Sequence, residues 1–285
     1  MNNTKDPLLG LQGRFHSEAE KEPPILGGIK GIIFDYGGTL DTCGQHWGKK
    51  LWHAYERQHV PVSEQQFRDA YVYGERTLGR NPIIKPDYTF HRTLATKIRL
   101  EMEHLCTHGA WDASEEEFKQ KHQAVLEDVY AEVVATTAHS AEVLTQLSER
   151  FPMVLVSNFY GNIECVLQEF GLRKFFPRIV ESAVVGIRKP DPRIFELGVE
   201  KLRSSDVEEK TQNSPLSTTL NSKLSTLHSN EVLVVGDSFY KDILPAQKAG
   251  CRTAWFKGEG WTDETYDETV PDLVITDLAD LLVIK

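Results

Sequence analysis

Four short stretches of the chain end in polar side chains that suit one site. The apolar run Ile32, Ile33, Phe34 stops at Asp35 and is followed by Tyr36, Gly37, Gly38, Thr39, Leu40 and Asp41. Met153 to Val156 stops at Ser157 and Asn158; Lys189 stands just ahead of Pro190, Asp191 and Pro192; and Val232 to Val235 stops at Gly236, Asp237 and Ser238, with Asp242 soon after. An apolar run ending in a polar side chain is how a buried parallel strand delivers a functional group to the carboxyl edge of an open α/β sheet, where such sheets bind ligands. Two carboxylates meeting there with an ammonium and a hydroxyl are costly to crowd together unless a divalent cation compensates, and hard oxygen ligands suit Mg2+. The cation draws in phosphate. Ser157, Lys189 and the backbone N–H groups after Asp35, made approachable by Gly37 and Gly38, can cradle its remaining oxygens.

The elements that must position these groups follow from the apolar spacing. From His46 to about Val134 the period is helical, through Leu51, Trp52 and Tyr55, then Phe67, Ala70 and Tyr71, then Leu94, Ile98 and Met102, then Val125, Val129 and Val133. Helices inserted directly after a first strand predict a small bundle, residues 43–138, closing over the edge that holds Asp35. Its aromatics read as core packing, and its histidines show no ligand spacing. Beyond it the α/β alternation resumes over 139–285, with a helix from Ser140 to Arg150 and further strands at Arg178–Glu181, Arg252–Phe256 and Leu273–Ile275. Asp41 and Asn162 are placed to cap helices, Asp191 with Pro192 signals another helix start, and Gly171 and Gly250 suit left-handed terminators. The serine-rich tract 203–230 reads as a polar loop insertion and residues 1–28 as a flexible leader.

Composition narrows the function. The 285 residues are 40% hydrophobic, enough for a packed core, and carry a net charge of −10, which offers no basic field for nucleic acid or an anionic membrane. An anionic substrate must be held by a local device. The four cysteines lack metal or disulfide spacing, and neither a secretory pattern nor an 18-residue apolar run occurs, so a cytoplasmic protein is expected.

The four stretches in this order resemble the haloacid dehalogenase-like hydrolase superfamily, over residues 30–42 and 139–285. The resemblance implies a Rossmann-like three-layer α/β core with a parallel sheet, 29–42 and 139–285, plus an inserted α-helical cap domain that selects the substrate. It implies Mg2+ as cofactor and a small phosphorylated substrate. Asp35 would be the nucleophile that becomes an aspartyl phosphate, Ser157 and Lys189 would hold the phosphoryl oxygens, and Tyr36, Gly37 and Asn158 would contribute to substrate binding. Asp35, the Gly37 carbonyl, Asp237 and Asp242 would form the metal site. Phosphatases of this kind carry an aspartate two positions after the nucleophile, as the acid that protonates the leaving group; here that position is Gly37. A positioned acid contributes about 10²–10⁴ in rate, so a chain without one is expected to favour phosphates with acidic leaving groups, unless a water or His46 stands in. Three other readings follow from the same departure. Phosphonoacetaldehyde hydrolases also lack that aspartate and use a cap lysine, for which Lys49, Lys50 or Lys85 would be candidates. Dehalogenases work without metal, against which the Gly236–Asp237 pair argues. A weakened phospho-ligand-binding protein is the third.

Overall fold

The computed structural model describes residues 26–204, 226–262 and 264–285. The leader expected at 1–28 and the polar tract expected at 203–230 lie mostly outside the described residues, which leave out 1–25 and 205–225. Six strands form one all-parallel sheet: β1 (Gly31–Phe34), β2 (Met153–Ser157), β3 (Arg178–Glu181), β4 (Val232–Gly236), β5 (Arg252–Phe256) and β6 (Leu273–Ile275). Their spatial order is β3-β2-β1-β4-β5-β6. The chain runs outward from β1 to β2 and β3, then returns to build β4, β5 and β6 on the other side, so the order reverses between β1 and β4. That reversal opens a crevice at the carboxyl ends of the two strands. The register pairs Phe34 with Val235 and with Leu155, and the Asp35 N–H donates to the Val235 carbonyl at 3.0 Å, so Asp35 leaves the sheet opposite Gly236, one residue before Asp237.

Successive strand residues point to opposite faces, and both faces are covered. Ile32, Phe34, Leu155 and Val235 pack with Val143, Leu144 and Leu147 of the helix preceding β2 and with Leu278 and Leu281. Ile33, Val154, Val156 and Val234 pack with Ile194, Phe195, Val199 and Leu202 on the other side. Three layers result, which is why the strands read as apolar runs and not as alternating patterns.

Four helices lie between β1 and β2: α1 (Trp47–Arg57), α2 (Glu64–Arg80), α3 (Phe90–Thr107) and α4 (Glu115–Ser148). Ser63 and Gln66 close a capping box on α2, and the Thr89 and Ser114 side chains cap α3 and α4. The sequence pattern suggested one helix near 118–133 and another at 140–150; the structure joins them into the single 34-residue α4, which runs through the 138/139 boundary. No glycine or proline interrupts that join, and the Thr137 hydroxyl donates back to the Val133 carbonyl within the helix. Ser140 of α4 donates to the Leu40 carbonyl at 2.8 Å, tying the helix to the loop after β1. The later helices are α5 (Ile163–Glu169), α6 (Ser182–Val185), α7 (Arg193–Arg203) and α8 (Leu244–Lys248), the last entered through a π-helical turn at Phe239–Ile243. Among the described residues no helix is long and apolar enough to cross a membrane.

Candidate active site

The carboxyl edge of the sheet opens into a cavity of about 610 Å³ whose wall includes Asp35, Gly37, Ser157, Lys189, Asp237 and Asp242. Each arrives from a different element. Asp35 follows β1, Ser157 ends β2, Lys189 lies in the loop before α7, Asp237 follows β4, and the π-helical turn carries Asp242 inward. Turns of that kind insert an extra residue and re-aim a side chain, often at functional sites.

Lys189 is buried between two of the carboxylates, its Nζ 2.8 Å from Asp35 Oδ1 and 2.6 Å from Asp242 Oδ1. Burial pushes its ammonium down, but Asp242 and Asp35 together more than offset this and hold it above the usual lysine range. Asp35 Oδ1 also accepts its neighbour's Tyr36 N–H at 2.7 Å. Asp242 accepts the Ser238 N–H at 3.0 Å; burial pushes it up to about 6, with Lys189 opposing and Asp35 adding to the rise. Asp237 is pushed well above the carboxylate range, by burial first and then by Asp242 and Asp35. One oxygen from each of Asp35, Asp237 and Asp242 lies within 4.8 Å of the others. Three carboxylates, Asp35 and Asp242 buried and Asp237 half-buried, against one ammonium leave negative charge that a hard divalent cation would neutralise, and the all-oxygen donor set suits Mg2+. The residues fit such an ion.

Backbone geometry allows this crowding. Gly38 has φ +96°, and a Cβ there would lie 2.3 Å from the Asp237 carboxyl carbon; a Cβ on Gly236 would lie 2.4 Å from Asp242. Neither position admits a side chain. Thr39 supports Asp237 from below, accepting its N–H at 3.1 Å.

The family model "Hydrolase: haloacid dehalogenase-like hydrolase" matches residues 29–250. The chain belongs to the haloacid dehalogenase-like hydrolases. Among curated relatives of this haloacid dehalogenase-like chain, a glyceraldehyde 3-phosphate phosphatase of Pyrococcus furiosus is 30% identical over 113 residues, 39% of this chain and 37% of the relative. The chain thus spans well under half of that relative's length. A phosphoglycolate phosphatase of Vibrio cholerae is 26% identical over 262 residues, 89% of this chain and 96% of its own. A crystal structure of a dehalogenase with an intermediate complex shares the fold at a TM-score of 0.52 and 15% identity, over 90% of this chain and 97% of that one.

Several site residues differ from the sequence expectation. The Tyr36 side chain is 0% exposed and sets its ring edge-on to Phe159, outside the cavity wall, because a residue next to Asp35 on an extended chain points to the opposite face. The Tyr36 side chain is therefore core. Asn158 borders the cavity, but its amide spans the Lys189 backbone, accepting the N–H at 3.0 Å and donating to the carbonyl at 3.1 Å. It positions the lysine loop. Asp41 caps no helix; α1 begins six residues later behind His46, and Asp41 turns back to accept the Gly38 N–H at 2.7 Å and the Trp47 indole N–H at 3.1 Å. Asn162 precedes α5 without capping it and donates instead to the Tyr88 carbonyl and the Thr93 hydroxyl, each at 2.8 Å.

The haloacid dehalogenase-like cavity also receives side chains from the inserted helices that the sequence did not single out. Lys97 of α3 pairs with Glu75 of α2, which also accepts the Tyr160 hydroxyl at 3.1 Å, and the Lys97 ammonium sits 4.3 Å above the Tyr71 ring. The lysines the sequence offered for cap chemistry go elsewhere: Lys49 pairs with Glu64, Lys50 with Glu132, and Lys85 donates to the Pro82 carbonyl. Lys97 and Glu75 are 22 positions apart on separate helices, so no local spacing signals their meeting.

Proposed function

We propose that the chain is a Mg2+-dependent phosphatase that acts on a small phosphorylated metabolite through Asp35. The observation that carries this reading is the cluster of Asp35, Asp237 and Asp242, their oxygens within 4.8 Å of one another, with the Lys189 ammonium paired to Asp35 and Asp242 in the cavity wall. The phosphatase names of relatives in Pyrococcus furiosus and Vibrio cholerae support it. Asp35, Asp237, Asp242 and the Gly37 carbonyl would hold the cation, which when bound neutralises the carboxylates and draws the negative phosphoryl group to the site. Asp35 attacks phosphorus and becomes an aspartyl phosphate. Lys189 and the Ser157 hydroxyl bind phosphoryl oxygens, and Asn158 keeps the lysine loop in place. The helices over 43–138 act as a cap, and Lys97, Glu75 and Tyr160 select the part of the substrate beyond its phosphate.

Phosphate release from a panel of phosphorylated metabolites, with Mg2+ and with EDTA, tests the reading. Activity should vanish in EDTA and in Asp35→Asn, while Asp237→Asn should need more Mg2+ for half-maximal rate. Full activity in the chelator would refute the assignment.

A further inference from the structure

Arg188 and Lys189 are neighbours in the loop before α7, and their side chains part. Lys189 turns into the carboxylate cluster and pairs with Asp35 and Asp242. Arg188 reaches the inserted helices: a Cβ on Gly79 of α2 would lie 3.9 Å from its Nη1, so the guanidinium rests against the helix where no side chain stands. The backbone beneath is fixed, since the Arg188 carbonyl accepts the Asp191 N–H at 3.0 Å and the Asn158 amide spans the Lys189 backbone. Tyr71, Glu75 and Gly79 follow at intervals of four and share one face of α2, with a rise of about 6 Å per step. On that face the Lys97 ammonium stands over the Tyr71 ring and pairs with Glu75, and Arg188 stands one turn further on.

Most charged groups in this part of the wall have partners. Lys97 pairs with Glu75, Lys257 pairs with Glu268, and Glu264 accepts the Tyr266 hydroxyl at 2.8 Å. The side chains of Arg188 and Lys241, both in the wall, form no hydrogen bond or ion pair with a described residue. The two cations act on one pair of groups. Burial and then Glu75 hold the Tyr160 hydroxyl well above its usual range, and the Arg188 charge opposes them. Burial pushes Glu75 up, and Lys97, Tyr160 and Lys241 more than offset this, so it stays ionised. One carboxylate thus stands among three cations, and its Oε1 already accepts from both Lys97 and Tyr160. The chain has 42 acidic residues against 32 basic ones, so carboxylates are plentiful. A guanidinium left without one in the wall of a cavity is placed for a ligand, and its planar fork matches a carboxylate at two points.

We propose that Arg188 takes a carboxylate of the substrate while Asp35 and Lys189 engage its phosphate. The substrate is then a phosphorylated carboxylic acid. The inference rests on the phosphatase reading above and names the substrate class of that same site. Adjacent residues of one fixed loop hold the two anionic groups, so the carbon chain between them is short and their separation is set before binding. Lys241 adds attraction for the same anion, and a neutral tail in that place leaves the guanidinium without a partner.

The test follows hydrolysis of p-nitrophenyl phosphate, whose phenolate leaves without help from an acid, with Mg2+ and with one of two competitors of equal carbon number. One, 3-phosphoglycerate, ends in a carboxylate; the other, glycerol 3-phosphate, ends in a hydroxymethyl group. The inhibition constant of 3-phosphoglycerate should be lower by about ten-fold or more. Arg188→Gln should raise that constant about 10–100-fold and the glycerol 3-phosphate constant far less. Arg188→Lys, which keeps the charge and loses the fork, should fall between the two proteins. Equal inhibition by the two compounds in the unmodified protein would overturn the assignment. So would equal weakening of both in Arg188→Gln, which would make Arg188 a support of the phosphate or of the lysine loop. If the unmodified protein does not hydrolyse p-nitrophenyl phosphate with Mg2+, the phosphatase reading falls and takes this inference with it.

Discussion

Replacing Lys189 by methionine removes the cation that two buried carboxylates share. Its Nζ lies 2.6 Å from Asp242 and 2.8 Å from Asp35. At an effective dielectric of about 20 each contact is worth about 6 kcal/mol of Coulomb attraction, much of which desolvation of the three groups cancels. Truncating one partner leaves the others uncompensated, and such changes cost about 3–5 kcal/mol, or a Tm loss on the order of 10 °C. The pH dependence gives a second, independent sign. Asp242 is pushed up to about 6 even beside Lys189, and Asp237 is pushed well above the carboxylate range by burial and by its neighbours Asp242 and Asp35. Groups with raised native pKa contribute stability that is present at low pH and lost as pH rises through the native value. Without the ammonium that value rises further, so the deficit of Lys189→Met should be larger at pH 7 than at pH 5. Mg2+ should recover part of it. Urea denaturation of both proteins at the two pH values, in EDTA and in Mg2+, measures all three effects. An unchanged midpoint at pH 7 in EDTA, or a deficit that grows on acidification, would refute the account.

Gly38→Ala would place a Cβ 2.3 Å from the Asp237 carboxyl carbon at φ +96°; Mg2+ affinity by calorimetry should fall about ten-fold or more and stability by about 1–3 kcal/mol, and an unchanged titration would exclude the close approach. His46 is held down to about 4 by burial, so the unfolded chain binds its proton first as pH falls below 6.5, and stability should drop by up to about 3 kcal/mol between pH 6.5 and 4. His46→Gln should lack that part of the acid dependence; parallel urea curves for the two proteins would contradict the burial argument. Tyr160→Phe deletes the hydroxyl that donates to Glu75 Oε1 at 3.1 Å. A hydrogen bond to a charged group is worth about 1.5–3 kcal/mol, so hydrogen exchange in α2 should quicken by roughly ten-fold, and protection equal to the unmodified protein would show that the bond does not hold α2.

The sequence by itself determined the sheet and the direction in which it delivers its polar ends. Arg178–Glu181, Arg252–Phe256 and Leu273–Ile275 form strands at the bounds their apolar patterning marks, and β1, β2 and β4 lie within one residue of theirs. Burial on both faces writes itself into consecutive residues, and a carboxylate or hydroxyl that follows such a run has one place to go. Helix joins and side-chain partners are different. Within α4 the Ser140 hydroxyl meets the Leu40 carbonyl, 100 positions away, a partner that helical spacing does not name. Whether Asp41 caps a helix or turns back to Gly38 and Trp47 depended on how the loop after β1 folds under the inserted helices. Lys97, Glu75 and Tyr160 meet from α3, α2 and the loop after β2, and each alone has the composition of a solvated surface residue. Local patterning records which face of an element is apolar; it carries no record of which distant polar group will stand opposite, because that distance is set only when the layers pack. The strand ends were therefore legible, and the wall of the cavity above them was decided by tertiary structure.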